Sequence, residues 1–277
     1  MVKITTEHYF FVGPPKTGTT WIYEVLKSVK EINLSNQTKE LEFFNKNYNK
    51  GFKWYQKAFN MKGNKICDIS TSYFTSDKAP LRIKEYDPKA KIIITIRDPY
   101  KRLISHYKHN IRFGILNPMP IRRAIIIQHG LIQNSLYYKH ISNWIKIFGR
   151  ENILILPIEL LSINPINYIN QINTFLNISI DLGVYKKLDR INYSSQPRSY
   201  FLAKSIRKIR KEINMLGMHK IIKIAKKIGL KKLIYEGGKD IEIDESVYSD
   251  VQELFNSDIR MLSKYGIANE LINSYKK

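Results

Sequence analysis

Residues 9–29, YFFVGPPKTGTTWIYEVLKSV, constrain the fold more than any other stretch of this chain. YFFVG reads as a strand, PPKTG as a turn and TTWIYEVLKSV as a helix, so a strand delivers the chain through glycines into a helix N-terminus. That order gathers backbone N–H groups and the positive end of a helix dipole around one point, where an anion can sit. Pro15, Lys16, Thr17, Gly18, Thr19 and Thr20 are the candidate anion-binding residues, with Thr19 and Thr20 adding hydroxyl donors at the first helical turn. In a loop built for a nucleoside triphosphate, lysine follows the second glycine and the next hydroxyl ligates magnesium. Here Thr19 takes the lysine's place and the cation comes earlier, at Lys16. A helix start with nothing bound is the plainer use of the segment taken alone.

Short apolar runs recur at 8–13, 64–70, 90–96 and 151–157, separated by segments with helical spacing. Such alternation predicts an α/β fold with a central parallel sheet and crossover helices. Tyr137, Ile141, Trp144, Ile145 and Phe148 share one helical face. Asn164 and Pro165 suit a helix cap and first turn, followed by a core stripe at Ile166, Ile169, Ile172, Phe175 and Leu176. Val247, Val251, Leu254, Phe255, Ile259 and Leu262 give a further helix. With no internal repeat or long linker, one domain over residues 1–277 is expected, its basic helical part beginning near residue 198.

A second motif, KIIITIRDPYKRLISHY at residues 91–107, ends a buried strand at Arg97, caps a helix with Asp98 and Pro99, and places Ser105 about two turns along it. Ligands of doubly wound sheets bind outside the carboxyl ends of the strands, so Arg97 and the first loop should open onto one crevice. A guanidinium fork and a serine hydroxyl suit a phosphate; a salt bridge to a nearby carboxylate is the other use of Arg97.

Together, PPKTGTTW and IRDPYKRLISHY resemble the paired signature of sulfotransferases that use 3′-phosphoadenosine 5′-phosphosulfate (PAPS). The first is similar to the family's 5′-phosphosulfate loop and the second to its 3′-phosphate site. The resemblance implies the P-loop-like sulfotransferase fold and sulfuryl transfer without a required metal, with Lys16 neutralising the leaving phosphate. TKELEFFNKNYNKGFKWYQKAF, residues 38–59, looks like the glycan branch of the family, heparan-sulfate-type enzymes and bacterial relatives. By that likeness Glu40 is the catalytic base, Phe43, Phe44, Trp54 and Tyr55 are the aromatic framework, and Trp54 and Tyr73 are candidate acceptor contacts. Arg198, in NYSSQPRSYFLAKSI, becomes a further phosphate ligand. Glu40 as a surface carboxylate, the aromatics as core and Arg198 as a surface arginine are the plainer uses.

Two departures stand out. The glycan enzymes carry a lysine in the strand segment here written CDISTSYF, where this chain has Ile69, so one cation is missing or supplied elsewhere. The histidine base of the small-molecule branch has no counterpart between Ile66 and Phe74, which argues against a phenol or steroid acceptor.

Forty-six Lys and Arg against 24 Asp and Glu give a net charge of +22, which implies an anionic partner. An acidic glycan suits it; nucleic acid is not expected. Residues 198–232 hold twelve Lys or Arg and a single acidic residue, Glu212, and serve as a solvated helical face, a polyanion surface or a peripheral contact with anionic membrane lipid. Cys67 is the only cysteine, and with no signal-type start the expectation is a cytoplasmic enzyme. Its histidines are scattered without metal-ligand spacing, so no metal is expected. Other acceptors for the same donor, a protein tyrosine or a lipid-linked sugar, remain open, as does a non-catalytic polyanion-binding protein.

Overall fold

The structure is a computed structural model, and it describes residues 6–59, 63–181, 183, 200–215 and 241–267. Five parallel strands, β1 (Glu7–Phe11), β2 (Ile32–Leu34), β3 (Lys65–Ile69), β4 (Lys91–Ile96) and β5 (Ile153–Pro157), form a sheet in the order β2-β3-β1-β4-β5. All four runs anticipated from apolar patterning are strands. β2 went unseen because three residues are too few to show a period. Its polar member is held at the sheet edge by its side chain: Asn33 Nδ2 donates to the carbonyls of Gly63 (2.8 Å) and Lys65 (3.1 Å).

The alternation of a strand sends successive side chains to opposite faces. Phe10, Val12, Ile92, Ile94, Ile96, Ile153 and Ile155 pack on one face. They meet α3 (Ala79–Tyr86) through Ala79 and Ile83, and α7 (Tyr137–Phe148) through Tyr137, Ile141, Trp144 and Phe148. Tyr9, Phe11, Cys67, Ile69, Ile93 and Leu156 face the other way. Their cover is α1 (Thr19–Leu26), through Trp21, Ile22, Val25 and Leu26, and α9 (Pro165–Leu176), through Tyr168, Ile169, Ile172 and Leu176. Each large side chain buried in these two layers contributes about 1.5–3 kcal/mol, which makes two-sided burial the main support of the sheet. Asn164 caps α9 by accepting from the Asn167 amide at 3.0 Å, with Pro165 at the first position, as anticipated. Ile166 departs from its expected core role, being 55% exposed: the buried face of α9 begins at Tyr168, and the first turn stands in solvent.

Among the described residues, the remaining helices are α2 (Gly51–Gln56), α4 (Pro99–Arg112), α5 (Ile121–Ile127), α6 (Gly130–Gln133), α8 (Leu160–Ile163), α10 (Tyr200–Met215) and α11 (Val247–Met261). The chain divides into two compact units, residues 1–102 with 133–191 and 253–277, and residues 103–132 with 192–252. The first holds the whole sheet. Within the second, Tyr107 donates to the Met119 carbonyl at 2.5 Å and Arg122 Nε to Asp250 at 2.8 Å. No described helix is long and apolar enough to cross a membrane.

Candidate functional site

Strand order fixes where a site can form. From β1 the chain leaves to one side of the sheet for β2 and β3, then crosses to the other side for β4 and β5. The carboxyl end of β1 is therefore a switch point, flanked by the ends of β3 and β4, where a crevice opens.

Gly13 leaves β1 pressed against β4: a Cβ there would lie 2.1 Å from Thr95 Oγ1 and 2.4 Å from the Thr95 carbonyl, so only glycine fits. Thr17, fully buried, donates to the Pro14 carbonyl at 2.7 Å and shares a 2.6 Å hydrogen bond with Thr95 Oγ1. Those contacts pin the loop at its middle. Lys16 has φ of 79° and Gly18 has φ of 85°. A left-handed lysine is costly for an L-residue, and such strain collects at ligand-binding loops. α1 then starts at Thr19 after Gly18, which has no side chain to cap it, so the positive end of the helix faces the loop. A phosphate-like anion fits there.

β4 delivers Arg97 to the same crevice. Its Nη1 donates to the Lys16 carbonyl at 3.4 Å, and its own carbonyl accepts from the Tyr137 hydroxyl at 2.6 Å. Asp98 caps α4 as anticipated, its Oδ1 accepting from the Lys101 amide at 2.7 Å. The Asp98 amide in turn donates to Glu159 Oε1 at 2.9 Å, on the segment after β5. Burial raises the Glu159 carboxyl above its ordinary value, while the hydrogen bond from Asp98 and the charge of Arg97 oppose that shift. Arg102, which the sequence reading missed, is fully buried. It donates to Ser135 Oγ at 2.7 Å and to the Pro15 carbonyl at 3.3 Å, and so holds the loop from beneath. Burial draws its guanidinium down to about 10, so it stays charged at neutral pH.

Glu40 stands on the β3 side. Its Oε2 accepts from Thr71 Oγ1 at 2.7 Å and its Oε1 from Lys39 Nζ at 3.3 Å. The same Lys39 ammonium donates to Thr19 Oγ1 at 2.9 Å. One lysine thus bridges the anion loop and the candidate base. Ile69, by contrast, is buried in the core beneath α1 and α9, so β3 brings no cation to this end of the sheet at that position. The sequence signal for Lys39 was there, in the dipeptide Lys39-Glu40, but the pattern of the motif directs attention to Glu40 alone.

Further hydrogen bonds fasten the Glu40 segment to the end of β3. Ser70 Oγ accepts from the Glu42 amide at 3.2 Å and donates to Asp68 Oδ1 at 2.8 Å. The Tyr73 hydroxyl accepts from the Phe44 amide at 3.2 Å and donates to Asp68 Oδ2 at 2.9 Å. Burial raises the Asp68 carboxyl to about 6, against the lowering effect of these two donors. Tyr73, a candidate acceptor contact, is thereby placed in the core and acts on the Glu40 segment through its hydroxyl. Trp54 is half-buried, stacked on Phe43 at 6.1 Å with the Lys50 ammonium 4.5 Å from its ring centroid. Thr20 is exposed at the start of α1. Ser105 lies on α4 within the second unit, and Arg198 lies outside the described residues.

The chain matches the model of the sulfotransferase domain over residues 6–221. It is 31% identical over 199 residues to the bifunctional heparan sulfate N-deacetylase/N-sulfotransferase 1 of Xenopus laevis, covering 64% of this chain and 23% of that protein. To the heparan sulfate glucosamine 3-O-sulfotransferase 6 of Mus musculus it is 28% identical over 178 residues, covering 60% of this chain and 51% of that one. The matches thus take in about a quarter to a half of the length of these relatives. Among solved structures, a sulfotransferase from Alicyclobacillus acidocaldarius superposes with a TM-score of 0.63 over 94% of this chain and 95% of that one. At 16% identity that likeness establishes the fold.

Proposed function

Because this chain belongs to the sulfotransferase domain family, we propose that it moves the sulfuryl group of PAPS to a hydroxyl or amine of a carbohydrate acceptor. The observation that carries this reading is the short path from anion loop to base: Thr19 Oγ1 to Lys39 Nζ at 2.9 Å, then Lys39 Nζ to Glu40 Oε1 at 3.3 Å. A nucleotide phosphate held at the α1 N-terminus and an acceptor held at Glu40 would meet across that gap.

The residues present suit the donor. Lys16, the amides of Thr17 to Thr20 and the dipole of α1 would receive the 5′-phosphosulfate end. Arg97 would hold the 3′-phosphate. When bound, PAPS supplies an activated sulfuryl group whose bond to the 5′-phosphate is the one broken. Glu40 takes the proton of the attacking hydroxyl or amine, and its bond from Thr71 fixes the carboxylate for that role. Lys16 and the loop amides stabilise negative charge growing on the departing phosphate, a preorganised arrangement that needs no rearrangement during reaction. Arg97 contributes mainly to positioning.

Relatives whose names specify heparan sulfate support a glycan acceptor. A net charge of +22 favours an acidic one. The test is incorporation of labelled sulfate from PAPS into a panel of desulfated heparan-type glycans, tyrosine peptides and lipid-linked sugars. Labelling of the glycans is expected. Labelling confined to the peptides or lipids would reassign the acceptor, and labelling of none would overturn the reading.

A further inference from the structure

Lys39 occupies a position that neither the loop motif nor the base assignment accounts for. Its ammonium has three protons to donate. One goes to Thr19 Oγ1 at 2.9 Å and one to Glu40 Oε1 at 3.3 Å, and the side chain is only 21% exposed. Thr19 is the first residue of α1, whose leading amides lack a side-chain cap. Glu40 is anchored from its other oxygen by Thr71. A half-buried ammonium between two anchored groups is not a mobile surface charge. Burial lowers its proton affinity and Glu40 opposes that shift, so both the burial and the pairing are felt by this group.

In an in-line transfer, the group in transit lies between the atom it leaves and the atom it joins. The leaving phosphate belongs to the loop that ends at Thr19, and the attacking atom must be within reach of Glu40. Whatever passes between them passes the Lys39 ammonium, which touches the Thr19 hydroxyl and the Glu40 carboxylate. We propose that Lys39 is a catalytic residue of this site, donating a hydrogen bond to the non-bridging oxygens of the sulfuryl group as it moves from donor to acceptor.

This deepens the sulfotransferase reading and rests on it. During the step, the acceptor's O–H or N–H bond breaks and its proton goes to Glu40, while a new S–O or S–N bond forms. The S–O bond to the 5′-phosphate breaks, and its electron pair stays on the phosphate oxygen of 3′,5′-adenosine bisphosphate (PAP). Lys39 keeps its proton throughout; its contribution is charge and direction. Lys16 and Lys39 then divide the work, Lys16 serving the leaving phosphate and Lys39 the sulfuryl oxygens. PAP lacks the group that Lys39 would touch, and this sets the test.

Wild type, Lys39→Met, Lys39→Gln and Lys39→Arg are titrated calorimetrically with PAP and with intact PAPS in the absence of acceptor, and their thermal midpoints are compared. Loss of a charge-assisted hydrogen bond should weaken PAPS binding by about tenfold or more in the Met and Gln variants. PAP affinity should stay within about twofold, and Arg should restore most of the PAPS affinity. Turnover in the Met variant should fall roughly a hundredfold. Equal weakening of both nucleotides, or of neither, overturns the assignment of Lys39 while wild-type binding leaves the sulfotransferase reading intact. Failure of wild type itself to bind either nucleotide removes that reading, and this one with it.

Discussion

The guanidinium of Arg97 donates from Nη1 to the carbonyl oxygen of Lys16 across 3.4 Å. Arg97 directly follows β4 and Lys16 lies in the loop after β1, and those two strands are parallel neighbours in the sheet. Both therefore open at the carboxyl edge of the sheet, where its topology reverses. A nucleotide with phosphates at both ends of its ribose is the kind of ligand that could touch both.

Replacing Lys16 by Ala should leave the protein folded, because the side chain is partly exposed and lies outside the two core layers of the sheet. Removing one charge-stabilising donor costs about 3 kcal/mol in the transition state, so kcat should fall roughly a hundredfold or more. Steady-state transfer of labelled sulfate measures this. Near wild-type turnover would take Lys16 out of the chemistry.

Glu40→Gln keeps the shape and the acceptor for Thr71 but cannot take a proton. The variant should bind PAP as wild type does and lose transfer. Calorimetry and a transfer assay on the same preparation separate the two effects, and full activity would assign the base elsewhere.

Much of this arrangement was readable from sequence, and the unread part shares a cause. The four longer strands, the cap at Asp98 and the buried face of α7 follow from local patterning, because hydrophobic periodicity and helix-start chemistry are written in neighbouring residues. Arg102 and Lys39 did not stand out, since their partners Pro15, Ser135 and Thr19 lie 87, 33 and 20 positions away. Tyr73 was a candidate acceptor contact by the family likeness; the fold turns its hydroxyl onto Asp68 and the Phe44 amide. Side-chain polarity in sequence does not say whether a group faces a ligand or a buried partner.

Thr17→Val tests the pin under the loop. Valine fills the same volume but forfeits the bonds to the Pro14 carbonyl and Thr95 Oγ1, in a site with no solvent to replace them. A stability loss of about 1–3 kcal/mol is expected from denaturant unfolding, together with weaker PAP binding. An unchanged midpoint and unchanged affinity would show that the loop does not depend on this pair.

Asp68 predicts a pH dependence of stability. Its folded-state pKa is raised from 3.8 to about 6 by burial, so the folded protein holds this proton more tightly than the unfolded chain. The contribution of this group is then favourable at low pH and is lost as pH rises through about 6. A shift of about two units corresponds to about 3 kcal/mol. The stability of Asp68→Asn relative to wild type should accordingly increase between pH ~4 and ~7 and level off above that. Denaturant titrations across this range check the sign; a difference independent of pH would contradict it.

The most direct test of the shared crevice is calorimetric titration of wild type and Arg97→Ala with PAP and with 5′-AMP, which lacks the 3′-phosphate. Wild type should bind PAP at least about tenfold more tightly than AMP, and the variant should lose that preference while keeping its AMP affinity, as expected for one charge-assisted phosphate contact. Equal affinities of wild type for the two nucleotides, or a preference for PAP that survives the loss of Arg97, would contradict the account.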